Sequence, residues 1–194
     1  HGPCVAKDGT IYYLGKTMTY EHPYGPDVEC WKSTDGGKNW EFCGKVPDFE
    51  NLAPNQVHEP HIIELPSGRL LGAIRVHNRP VEPSFTVYTT FSDDGGKTWS
   101  EIKPLGVKGA PPHLFVHSSG ALICSFGRRC EPFGEFAWIS YDGGETWAEE
   151  YAIDINTDNG DLGYPATVEL EDGTTIYATD DHRFMTPAGE WIRV

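Results

Sequence analysis

A chain of 194 residues is long enough for one domain with a real core, or for part of a larger one. Its 29 acidic and 15 basic side chains leave a formal charge of −14, which argues against nucleic acid and anionic membranes as partners, because both need a basic face. No apolar run approaches the roughly 18 residues of a membrane helix. With 22 Gly and 15 Pro, few stretches longer than about ten residues escape a breaker, so the chain is predicted to be all-β.

In chain order, four units of about fifty residues emerge, approximately 1–50, 58–107, 111–155 and 162–194. The first has apolar stretches on either side of Gly9, then Ser33-Thr34-Asp35-Gly36-Gly37-Lys38-Asn39-Trp40. The second shows the anatomy best: His61 to Leu65 a strand, Pro66-Ser67-Gly68 a turn, Arg69 to Val76 a second strand and Phe85 to Phe91 a third. Ser92-Asp93-Asp94-Gly95-Gly96-Lys97-Thr98-Trp99 then repeats the patterned turn, and Trp99 to Ile102 is predicted as the fourth strand. The third unit carries Gly120 and Ser140-Tyr141-Asp142-Gly143-Gly144-Glu145-Thr146-Trp147. The fourth has Gly173, lacks the patterned turn, and takes Trp191 to Val194 as its last strand. Four antiparallel strands repeated in this way describe the blades of a β-propeller.

The shared S-x-D-G-G-x-[TN]-W turn is predicted to be structural rather than a ligand loop. Gly supplies positive φ, Asp and Ser bond local backbone, and Trp plugs a neighbouring strand. Among the five cysteines (Cys4, Cys30, Cys43, Cys124, Cys130), none has a zinc spacing. Cys30 and Cys43 flank one turn symmetrically and are placed to face each other, with buried free thiols as the simpler expectation.

Because successive strands alternate in direction, the start of strand 1 and the end of strand 2 share a rim. The patterned turns fall at the opposite rim. Alignment on the turn glycines makes Glu59, Pro111 and Tyr164 equivalent, followed by His61, His113 and Ala166. Strand-2 ends give Lys16, Arg75 with His77, Arg128 with Arg129, and Asp180 with Asp181 and His182. In an acidic chain with seven arginines, this gathering is the candidate site.

The patterned turns resemble the Asp boxes, or BNR repeats, of the sialidase (neuraminidase) superfamily, and the resemblance covers essentially the whole chain. It implies a six-bladed propeller of which about four blades are present, with 1–194 as one propeller domain or fragment; a closed four-bladed ring is the alternative. A chain opening on His1-Gly2 fits a processed product or fragment. The resemblance also assigns roles. Glu59-Pro60-His61 through Arg75 looks like the family's Glu-to-Arg segment, Gly163-Tyr164-Pro165 like its nucleophile segment, and Arg129 or Arg128 like the intervening arginine. Tyr164 is then nucleophile with Glu59 as its base, Arg75 and Arg129 or Arg128 clamp a carboxylate, and His61 and His113 add substrate contacts. A neutral Tyr avoids repulsion from the carboxylate on a sialoside's anomeric carbon, and a guanidinium fork matches that carboxylate's two oxygens. The family's first arginine motif and its Asp acid have no counterpart here; Arg79-Pro80 is in the wrong segment.

The implied function is a sialidase-like glycoside hydrolase with a glycan or glycoconjugate partner and no cofactor or metal. Two alternatives stand beside it. A uronic-acid polysaccharide lyase or hydrolase would use the histidines, with His113 and His117 on one strand face. A non-catalytic glycan- or protein-binding propeller would explain the missing acid. The Pro in His58-Glu59-Pro60-His61 excludes a zinc-binding helix, and Asp154, Asp158 and Asp161 are a calcium candidate for which a solvated acidic loop is the preferred reading. Open blade edges predict self-association.

Overall fold

The computed structural model describes residues 2–17, 27–48, 52, 56–77, 83–147, 150–155, 162, 165–169, 175–179, 183–185 and 191–193. No α-helix occurs among them. Strands β1 (Cys4–Val5), β2 (Ile11–Lys16), β3 (Val28–Ser33) and β4 (Glu41–Lys45) form one antiparallel sheet in chain order. The second sheet has the same order in β5 (Val57–Glu64), β6 (Leu70–His77), β7 (Phe85–Ser92) and β8 (Lys103–Pro104). The third follows with β9 (Gly109–Val116), β10 (Leu122–Arg128), β11 (Gly134–Ser140) and β12 (Glu150–Asp154). The fourth unit shows two separate ladders, β13 (Pro165–Glu169) with β14 (Thr175–Thr179) and β15 (Arg183–Met185) with β16 (Trp191–Arg193).

Stacking of these sheets follows from side-chain alternation. Ile62, Leu70 and Ile74 turn toward the first sheet and pack with Leu14, Val28 and Val46. Their chain neighbours Ile63, Leu71 and Ala73 turn the other way, onto Leu114, Leu122, Cys124 and Phe126 of the third sheet. Both faces of β6 are therefore covered, which is why its sequence reads as a nearly unbroken apolar run. Turn glycines Gly9, Gly68 and Gly120 sit at φ 86°, 88° and 88°, where only glycine is unstrained.

The three patterned turns are self-contained. In the second, Asp94 Oδ1 accepts from the Ser92 hydroxyl and from the amides of Lys97 and Thr98, while the Gly96 amide donates to Ser92 Oγ at 2.9 Å. Trp99 Nε1 donates to the Gly96 carbonyl at 3.1 Å. Asp35 and Asp142 repeat the scheme, and these hydrogen bonds hold all three carboxyls down at about 2. The structural reading of the turns agrees with this geometry.

Two strands differ from expectation by more than one residue. Trp99 to Ile102 is not a strand: the Trp99 ring turns inward to 7% exposure. Ser100 then bonds back to β7, its amide to the Phe91 carbonyl and its hydroxyl to Thr90 and Phe91, so the ladder resumes only at Lys103. The first strand of the second unit begins four residues before His61, because a bulge accommodates Glu59-Pro60 inside it. Beyond the end of β9, His117 sits in the turn with its Nδ1 on Ser119, so it does not share a strand face with His113. All five cysteines are free thiols, and Cys30 and Cys43 are hydrogen-bonded neighbours.

Trp99 and Trp147 each pack into a cluster that includes the preceding sheet. Trp40, their counterpart on the first sheet, is 38% exposed beside Tyr13 and close to the paired Trp31 and Phe42 rings. That face of the first sheet is apolar and exposed.

Candidate functional site

Glu59 is the one non-glycine residue with positive φ among those described, at 39°. The register breaks around it, between His58 and His61, and the bulge directs its carboxylate to the end of β6. There Arg75 Nη1 donates to Glu59 Oε2 at 2.6 Å, with side chains 14% and 27% exposed. Arg75 Nε donates to His77 Nδ1 at 3.2 Å. Accepting at Nδ1, the His77 imidazole is neutral and carries its proton on Nε2. Burial, with the neighbouring Arg75 and His58, pushes His77 down to about 4. Its ring lies between His58, at 4.3 Å, and Phe85, at 5.3 Å.

Phe85 connects the two blades. The Arg75 guanidinium lies 5.5 Å from its ring centre and that of Arg129 lies 5.3 Å away. Arg129, just past β10, donates to the carbonyls of Ala110 (3.3 Å) and Leu162 (3.4 Å). Arg128 points elsewhere, onto the Phe136 ring and into an ion pair with Glu150 of the outer strand β12. The two adjacent arginines are thus separated, with Arg129 on the Arg75 side. Lys16, the equivalent of Arg75 on the first sheet, donates to the Val57 carbonyl at 2.7 Å.

His61 and His113 meet where the inner strands β5 and β9 face each other, with ring centres 4.8 Å apart. His61 is 7% exposed, and its Nδ1 accepts from the Leu114 amide at 2.9 Å. Burial keeps both rings neutral, pushing His113 down to about 4 and His61 well below its ordinary value. They form an inter-blade pair in which His61 is buried and His113 half-buried. Tyr164, Asp180, Asp181 and His182 lie outside the described residues, as do Arg79, Asp158 and Asp161.

The structure adds Phe85, His58 and Glu135 to this rim. Glu135, near the start of β11, is acted on by Arg129 and by Asp154 of β12. A signal for Phe85 and Glu135 is present in the sequence. In a four-strand meander, strand-3 starts share the rim of strand-2 ends, and both residues occupy that position.

Among the described residues, no three His, Cys, Asp or Glu side chains are grouped to hold a metal ion. A cavity of about 490 Å³ opens at the opposite rim, lined by Arg69, Phe91, Glu145 and Trp147. There Arg69 is already paired with Glu145 (2.5 Å) and Asp93 (3.0 Å), so its charge is engaged by neighbouring carboxylates.

Comparison with known proteins fits this architecture. The model of the BNR repeat-like domain matches residues 4–184. Xyloglucanase Xgh74A of Acetivibrio thermocellus is 28% identical over 174 residues, 79% of this chain and 17% of its own length. A crystal structure of a Dyadobacter fermentans protein of unknown function superposes with a TM-score of 0.77 at 23% identity, covering 97% of this chain and 50% of that one. The Penicillium chrysogenum α-L-arabinanase complexed with arabinobiose gives 0.65 at 19% identity, covering 90% and 55%. The intramolecular trans-sialidase from Ruminococcus gnavus in complex with oseltamivir carboxylate gives 0.58 at 22%, covering 86% and 35%. The chain therefore spans about a sixth of the xyloglucanase and from a third to just over half of these solved chains. With its family model matched almost end to end and its all-β sheets arranged as in β-propeller sialidases and arabinanases, the chain belongs to the BNR repeat-like domain family.

Proposed function

We propose that this propeller, with 1–194 as one domain or part of one, carries the glycan site of a sialidase-like glycoside hydrolase. Its substrate is a terminal sialic acid or a related anionic sugar of a glycoconjugate. The observation that carries the reading is the Arg75–Glu59 ion pair, with Arg129 sharing the Phe85 ring. In this reading Arg75 and Arg129 hold the sugar carboxylate, each able to present two parallel N–H groups to its two oxygens. Glu59 is the base that takes the Tyr164 hydroxyl proton as the oxygen attacks the anomeric carbon. The glycosidic bond then breaks, the departing oxygen is protonated by an acid with no counterpart in the motifs of this chain, and water later releases the sugar from Tyr164.

The test is turnover of a chromogenic sialoside by the full-length protein. Arg75→Ala and Tyr164→Phe are each expected to lower kcat/KM by at least about a hundredfold. Unchanged turnover in both would refute the assignment.

A second reading, a hydrolase of neutral arabinan, is favoured by one observation. The Arg75 guanidinium is already engaged by Glu59 and His77, as suits a residue that orients a carboxylate rather than binding one from a substrate. Release of arabinobiose from arabinan, with sialosides untouched, distinguishes it.

A further inference from the structure

Among the described carboxylates of this region, Glu135 is the one with no evident task. It stands on β11, opposite Gly127 of β10 and Asp154 of β12 in the ladder. Directly paired residues in an antiparallel ladder project from the same face, so Glu135 has Asp154 on one side and no side chain on the other. Both of its carboxyl oxygens are buried, and neither has a hydrogen-bond partner among the described residues. A buried carboxylate without donors is costly in its charged form and far less so in its neutral form. The charged groups that act on it are Arg129, from the end of β10, and Asp154, from β12.

We propose that Glu135 is a positioning residue for Arg129. As an uncharged carboxyl it leaves the guanidinium charge for an anionic sugar, and once ionised it competes with that sugar for the same charge. This rests on the reading of Arg129 as part of the carboxylate clamp. Burial first, and Asp154 second, hold the Glu135 carboxyl up at about 7, with Arg129 opposing them. As pH rises through that value, Glu135 becomes negative beside Arg129. The local field for an incoming carboxylate then becomes less attractive. A bound carboxylate repels the ionised form, so anion binding is coupled to proton retention by Glu135.

Two measurements test this. The first needs no ligand: the side-chain carboxyl ¹³C shift of Glu135 is followed against pH in the chain and in Arg129→Gln. The expected midpoint is about 7, moving upward when the guanidinium is removed. A midpoint near the ordinary 4.5, or one indifferent to Arg129→Gln, overturns the proposal. The second is calorimetric titration with an unsaturated sialic-acid analogue at about pH 6 and about pH 8.5. Affinity is expected to fall about tenfold or more between them, and the ratio to flatten in Glu135→Gln. A purely structural role would shift affinity equally at both pH values, so an unchanged ratio in the variant overturns the proposal. Failure of the analogue to bind at either pH also overturns it by removing its anion. A clear Glu135–Arg129 coupling in the first titration then shows that the functional reading, rather than the residue pair, is what failed.

Discussion

Arg75 and Glu59 lock a strained backbone. The ion pair at 2.6 Å joins the end of β6 to a bulged residue of β5 held at φ 39°. A side chain with a Cβ is disfavoured at that φ by about 1–2 kcal/mol, so the surroundings must offset the cost. The carboxylate is part of that offset. Glu59→Ala and Glu59→Gly both remove it, but only glycine relieves the strain. The glycine variant is expected to be the more stable of the two by up to about 1 kcal/mol, after the entropy that glycine adds to the unfolded chain. Urea unfolding of the pair checks this; an alanine variant as stable as the glycine one would mean that the bulge is not strained.

Stability is expected to depend on pH through groups of opposite sign. His61, His77 and His113 are held neutral when folded, whereas the unfolded rings take up protons below 6.5. Their contribution is therefore full above 6.5 and is lost as pH falls toward about 4. Glu135 runs the other way. Its unfolded carboxyl ionises near 4.5 while the folded one keeps its proton to about 7, so its contribution is full below 4.5 and lost by about 7. Glu135→Gln is expected to raise the melting temperature near pH 8 and to leave it almost unchanged near pH 4.5. An equal shift at both values would remove the link to ionisation.

The Asp boxes are expected to behave as metal-independent fasteners. The Asp94 carboxylate is satisfied by its own loop, through Ser92, Lys97 and Thr98. Asp94→Ala should lower the melting temperature clearly, while adding calcium or a chelator to the parent should not move it. A calcium-dependent rise that disappears in Asp94→Ala would contradict the self-contained loop.

The first sheet presents Val5, Tyr13, Trp40 and Phe42 to solvent, 69%, 41%, 38% and 53% exposed. Since the Trp99 and Trp147 turns close onto the sheet before them, this face is shaped to receive another blade or a second copy. Sedimentation of the chain is expected to show concentration-dependent association that Phe42→Glu abolishes. A monomer at all concentrations would contradict it.

The repeat, the all-β architecture and the opposite rims were legible because they rest on local chemistry. The Gly-Gly turns and the strand alternation leave their mark within eight residues or so. Register irregularities left no such mark. The bulge at Glu59 and the inward turn of Trp99 depend on which sheet lies alongside, and both shifted a strand boundary. Likewise Arg128 and Arg129 are indistinguishable in sequence. Their separation is decided by Glu150 and Phe136 on one side and by Phe85 on the other, contacts between strands or blades. Glu135 lies outside strands 1 and 2, whose ends mark the rim in sequence, and reaches the same edge only because the meander brings strand 3 there.

In the proposed function, Arg75 is the fork that holds an anionic sugar. Arg75→Lys keeps the charge and loses the planar pair of N–H groups, so it separates recognition from attraction. Calorimetric titration of both proteins with an unsaturated sialic-acid analogue, at fixed pH and salt, is the most direct measurement. Saturable binding to the parent chain is expected, with at least about tenfold weaker binding to Arg75→Lys. Equal affinity in the two proteins would contradict it.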